Sequence, residues 1–177
     1  MELIKLTREE RKEYDSSRPF FHRKYACYAP VTGMYIGIGG NVTSCCVNRT
    51  HVLGKYPDQT LEESWFGQKR KELKTCLKKG DFSKGCEVCY HAIRSGNVSN
   101  NSALVYEDLR VSGKKYPAKI DFELSNKCNL ECIICRGERS SSIRKNREKL
   151  PPIVSPFDST FLEQLKLEFL QKSGQIS

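Results

Sequence analysis

The stretch Lys119-Ile120-Asp121-Phe122-Glu123-Leu124 runs directly into Ser125-Asn126-Lys127-Cys128-Asn129-Leu130-Glu131-Cys132-Ile133-Ile134-Cys135. Apolar side chains alternate at Ile120, Phe122 and Leu124, which is the period of a strand. Three cysteines spaced CxxxCxxC follow at once, so the strand delivers a thiol-rich loop. Thiolates are the soft ligands that zinc and iron–sulfur clusters select. Structural zinc takes four closed ligands, and no histidine follows within reach to complete such a set. Three local ligands instead wrap three corners of a cubic cluster and leave its fourth metal open.

The rest of the chain sets the context for that loop. Its 177 residues suit one ordinary domain or two small ones. With 38% hydrophobic and 29% charged residues and a mean hydropathy of −0.57, it is too apolar for a disordered tail and too polar for a membrane protein. No run of about 18 apolar residues is present to span a bilayer. The first residues, Met1 to Asp15, are heavily charged where a signal peptide needs an apolar stretch. The expectation is a cytoplasmic protein with no membrane partner. In a reducing compartment its nine cysteines point to metal binding or redox chemistry rather than to disulfides. Sequons at Asn41, Asn48, Asn97 and Asn100 carry no weight there.

The net charge of +9 is unevenly spread. Seven cations lie between Lys69 and Lys84 against Glu72 and Asp81, and six between Arg136 and Lys149 against Glu138 and Glu148. Solvated helix faces explain such runs. An anionic substrate or RNA is the alternative; no aromatics are interleaved with these runs, which weakens the single-strand-binding version, and a nucleic-acid partner is not the expectation.

Breaker segments at Gly96 to Ser102 and Ser112 to Pro117 flank a short run from Ala103 to Val111. They divide the chain into residues 1–112 and 117–177. In the first part, Met34, Ile36 and Ile38 alternate before Gly39-Gly40-Asn41 and Val42, which reads as a hairpin. Thr60 and Glu63 form a capping-box signature for a helix carrying Leu61, Trp65 and Phe66, interrupted at Gly67. A second helix follows with Leu73, Cys76 and Leu77 on one face, ending at Gly80. In the second part a helix is expected after the thiol loop. A last one is expected from Ser155 or Asp158, with Pro156 in its first turn and Phe161, Leu162, Leu165, Phe169 and Leu170 facing the core.

A second thiol set lies in the first part. Cys27 and Cys45 are separated by seventeen residues, and Cys86-Glu87-Val88-Cys89 follows the helical segment. A hairpin and a CxxC turn bring four such thiolates together, closing a site as tetrahedral zinc or as a fully ligated [4Fe–4S] cluster. Spacing alone does not choose between them. Cys46 and Cys76 read as small buried hydrophobes.

The loop from Ser125 to Cys135 resembles the cluster loop of the radical SAM superfamily. That resemblance implies that Cys128, Cys132 and Cys135 hold a [4Fe–4S] cluster whose open iron chelates S-adenosyl-L-methionine. It further implies reductive cleavage of that cofactor to a 5′-deoxyadenosyl radical, with electrons from a donor of the ferredoxin or flavodoxin kind. The residue before the third cysteine, usually aromatic and packed on the adenine, is here Ile134. Ser140 and Arg144, just past the loop, are further candidates for contact with the cofactor. The N-terminal set is similar to the twitch domain, the shortened form of the SPASM domain. That similarity assigns an auxiliary [4Fe–4S] cluster to Cys27, Cys45, Cys86 and Cys89, with zinc as the rival. The order departs from the usual one, because the auxiliary domain here precedes the core.

The resemblance implies an α+β twitch/SPASM-like domain followed by the first βα units of an incomplete α/β radical SAM partial barrel. Such a core takes about 200 residues, and 61 run from Pro117 to Ser177. The glycine-rich GGEP-type motif of the family is absent. The expected function is that of an N-terminal portion of a radical SAM enzyme acting on a peptide or small molecule, inactive alone and completed by a C-terminal half. The alternative is a non-catalytic zinc-binding or RNA-binding module.

Overall fold

The computed structural model describes residues 4–97, 101–109, 116–170 and 175–176. Glycines shape the hairpin at its centre. Gly39 and Gly40 both hold positive φ, 82° and 87°, which an L side chain adopts only at a cost. A Cβ on Gly40 would also run into the carbonyl oxygen of Tyr56. The turn lets β1 (Gly33–Ile36) fold back on β2 (Asn41–Thr43), with Tyr35 opposite Thr43 and Ile36 opposite Val42. β3 (Gly54–Lys55) extends the antiparallel edge.

The strand that leads into the thiol loop, β4 (Lys119–Phe122), pairs in parallel with the other edge of β1, Met34 opposite Ile120. β5 (Gln175–Ile176) lies parallel to β4. The result is an α+β architecture around a mixed five-stranded sheet of order β3-β2-β1-β4-β5. The thiol-loop strand and the hairpin therefore share one hydrogen-bonded ladder. The divide expected at 112–117 falls largely on residues outside those described.

The helices divide between two cores. The sheet core gathers Met34, Ile36, Val42, Leu61, Trp65 and Ile120 with Phe161, Leu165 and Phe169. It is closed by α3 (Leu61–Phe66), whose Thr60–Glu63 capping box is present as the sequence predicts, and by α7 (Ser159–Gln164), which continues as a π-helical turn through Leu165–Leu170. Of the two starts expected for α7, the one at Asp158 is found. Asp158 caps it by accepting from the Phe161 amide at 2.9 Å, which leaves Pro156 outside the helix. Its inward stripe is Phe161, Leu165 and Phe169, spaced by four, while Leu162 is rotated out to 54% exposure. The Leu170 side chain lies outside the described residues.

The second core is helical and holds thiols. α1 (Arg8–Ser16), α4 (Gln68–Lys78) and α5 (Glu87–Arg94) contribute Tyr14, Leu73, Leu77, Tyr90 and Ile93, which pack with Cys27, Cys45 and Phe82. α1 is a helix that charge alone did not reveal; Thr7 and Glu10 form its capping box. Gly67 separates α3 from α4, and Gly80, at φ 70°, ends α4. Among the described residues no helix is long and apolar enough to cross a membrane.

Candidate functional site

Cys27 precedes the short helix α2 (Ala29–Thr32), Cys45 follows β2, Cys86 is the residue before α5, and Cys89 lies in the first turn of α5. The hairpin and the α5 terminus bring the four thiols to the wall of one largely apolar pocket, whose lining also includes Pro30, Leu73, Leu77, Phe82 and Asn48. Burial, reinforced by the neighbouring thiols, raises the Cys27 thiol well above its ordinary pKa. It likewise pushes Cys86 up to about 12 and Cys89 up to about 11. Burial also raises Cys45. Thiolates in so dry a place require a compensating positive charge.

Each sulfur is nevertheless supplied with an N–H donor. The Ala29 amide donates to Cys27 Sγ at 3.4 Å and the Asn48 amide to Cys45 Sγ at 3.3 Å. Asn48 Nδ2 donates to Cys86 Sγ at 3.2 Å, and the Ala103 backbone serves Cys89. The cavity wall contains neither a carboxylate nor an imidazole among the described residues. This all-sulfur, N–H-lined donor set fits an iron–sulfur cluster, whose sulfurs accept such bonds. Among the described residues no three His, Cys, Asp or Glu side chains are arranged to hold a single metal ion.

Asn48 has a role that the sequence did not reveal, where it stood only as a sequon. It is 2% exposed. Besides the two sulfur contacts, its Nδ2 donates to the Lys84 carbonyl at 2.7 Å and its Oδ1 accepts from the His51 amide at 3.1 Å. It thus ties the Cys45 turn to the Cys86 turn. Gly85, at φ 76°, makes room for it, since a Cβ there would run into Asn48 Oδ1 and Thr50 Oγ1.

Residues 27–91 match the SPASM family model, an iron–sulfur cluster-binding domain. The matched segment opens on the first thiol of the quartet and takes in the other three. It supports a SPASM/twitch-type domain and an auxiliary iron–sulfur cluster in this part of the chain. No curated protein and no solved structure matches the chain.

The second thiol set stands on a loop rather than in a core. Its loop joins β4 to α6 (Ser141–Asn146) and is held from below. Ser140, fully buried, caps α6 by accepting from the Ile143 amide and donates to the Leu130 carbonyl at 2.6 Å. The Ser141 hydroxyl accepts from the Cys128 amide at 3.2 Å and donates to its carbonyl at 3.0 Å. Asn126 Nδ2 donates to the Gly137 carbonyl at 2.9 Å. Above this scaffold Cys132 is exposed, and Cys128 and Cys135 are half-buried. Cys132, Ile134 and Cys135 line an open cavity of about 550 Å³ together with Arg49, Arg136 and Arg139. Cys128 is outside that lining, as are Ser140 and Arg144. The Arg144 Nε donates instead to the Pro151 carbonyl at 2.5 Å. Ile134 is 92% exposed. Cys46, exposed, and Cys76, half-buried, stay outside both sets.

A polar cluster links the thiol loop to the hairpin. Glu123, just past β4, accepts from the Tyr35 hydroxyl, from Arg49 Nη2 at 3.0 Å and from Arg139 Nη1 at 3.2 Å. Arg49 lies one residue beyond Asn48, so a single short segment touches both thiol sets. Nothing in the sequence pairs Arg49 with Glu123; the parallel β1–β4 register does.

Proposed function

We propose that the chain is the cluster-bearing N-terminal portion of a radical SAM enzyme that modifies a peptide or small molecule. In this reading Cys27, Cys45, Cys86 and Cys89 hold an auxiliary [4Fe–4S] cluster, and Cys128, Cys132 and Cys135 hold a second one. The carrying observation is the contrast between a quartet that lines one apolar cavity, with Cys27 and Cys45 buried and Cys86 and Cys89 half-buried, and a trio on an open loop past the carboxyl end of a strand, with Cys132 exposed. The parallel β4–α6–α7–β5 succession further supports the start of a barrel core.

Cys128, Cys132 and Cys135 would hold the second cluster, which, once reduced by an external one-electron donor, would supply the electron that cleaves the sulfonium C–S bond of S-adenosylmethionine into methionine and a 5′-deoxyadenosyl radical. The chain's own residues position these groups. Ser140 and Ser141 fix the loop backbone, Ile134 offers an apolar side chain to the adenine, and Arg49 and Arg139 hold Glu123 at the rim.

The test is anaerobic reconstitution with iron and sulfide, read by metal analysis and electron paramagnetic resonance. About eight irons per chain and a signal that changes on adding S-adenosylmethionine are expected. The variant lacking Cys128, Cys132 and Cys135 keeps about four irons and loses that response. Stoichiometric zinc in place of iron would overturn the reading.

A further inference from the structure

Neither thiol site absorbs the lysine run of α4. Arg70 turns inward: its guanidinium donates to the Pro30 and Trp65 carbonyls at 2.7 and 2.8 Å and lies 3.4 Å over the Trp65 ring. Lys71 and Lys78 remain exposed and Lys74 half-buried. The segment 19–28 packs beside them, and the two border a groove of about 880 Å³ whose lining includes Phe21, Lys24, Tyr25, Tyr28 and Lys74. A second depression of about 290 Å³ shares Tyr25 and Lys74 and adds Lys71 and Lys78. Together they form a continuous track past Tyr25.

Charge along this track is positive. Glu107 in its wall is already paired with Arg18 at 2.5 Å, which leaves Asp108 as the acid at one end. The Lys74 ammonium is held below its usual pKa first by burial and then by the like charges of Arg70 and Lys24. Phe21 is 73% exposed, and Lys24 stands 5.6 Å over the Tyr25 ring. In the sequence Lys24 adjoins Tyr25, while Lys71, Lys74 and Lys78 lie far downstream; packing of α4 against 19–28 brings them beside the aromatics.

We propose that this track binds single-stranded nucleic acid, with Lys24, Lys71, Lys74 and Lys78 along the phosphates and Phe21 and Tyr25 as platforms for bases. The exposed Phe21 ring and the half-buried Tyr25 ring beside spaced cations suit a strand whose bases are free to stack. A duplex keeps those faces covered.

Fluorescence anisotropy of the full chain with a labelled single-stranded oligonucleotide of about a dozen nucleotides, across a salt series, tests this. Four phosphate contacts give a log–log salt slope near about −3, and Lys74→Ala or Lys71→Ala each reduces its magnitude by about 0.7. Phe21→Ala weakens binding by about 5- to 150-fold and leaves the slope unchanged. All three variants are expected to keep the wild-type melting temperature. Absence of binding at low salt, equal affinity for the duplex of the same sequence, variants that bind as wild type, or an acidic peptide that displaces the oligonucleotide at equal concentration would each overturn the proposal.

Discussion

The two thiol sets place the same side-chain chemistry in different surroundings. The quartet belongs to a hydrophobic core: Cys27 and Cys45 are among its buried members, and Cys86 and Cys89 pack against it. The trio stands on a loop in which Ile133 and Ile134 are more than nine-tenths exposed. A core site couples ligand loss to stability, because the same side chains serve packing and binding. An exposed loop carried by backbone hydrogen bonds separates the two. The difference assigns the quartet a role in holding the fold and leaves the trio accessible to an incoming molecule.

The strongest way to break this contrast is chemical. In the metal-free chain at pH 8, iodoacetamide is expected to modify Cys132 while Cys27 stays intact, because burial hinders access and raises the pKa of Cys27. Peptide mass mapping over time reads the order, and simultaneous modification would erase the distinction. Next, Cys45→Ala is expected to remove about four irons and at least about 3 kcal/mol of stability. Cys132→Ala should also disturb its cluster yet stay within about 0.5 kcal/mol in denaturant unfolding. Gly85→Ala, forced into positive φ and against Asn48, should cost about 2–3 kcal/mol and lower only the iron of the quartet. Asn48→Ala loses its bonds to Lys84, Cys86 and His51, for about 1–3 kcal/mol. The potential of the quartet's cluster should shift while that of the trio holds. At the weak end, Arg49→Ala breaks a partly exposed pair with Glu123 and should change stability by less than about 1 kcal/mol.

Legibility in the sequence follows the same divide. Local signals were readable because their physics is local. The Gly39-Gly40 turn, the Thr60–Glu63 box, the breaks at Gly67 and Gly80 and the strand before Cys128 all appear as expected. The quartet was readable as a set because its ligands differ from the surrounding residue types. What escaped depends on contacts made across the fold. Asn48 looks like any turn asparagine until the Cys86 turn is folded against it. Arg70 looks like one cation in a solvated run until Trp65 and the Pro30 carbonyl surround it. Leu162 looks like part of an apolar stripe, yet the stripe of α7 is narrow enough to leave it in solvent.

The parallel ladder between β1 and β4 carries one more consequence. Because Gly33 to Ile36 run alongside Lys119 to Phe122 in a fixed register, the connection between these strands acts as a crossover, and its length has little influence on where the strands meet. Doubling such a connection costs only about 0.6 kcal/mol. Residues far apart in the chain are thereby set side by side, so the segment that matches the cluster-binding family model meets the strand that precedes the thiol loop. Insertions between the two strands are then a tolerated route for this architecture to diversify.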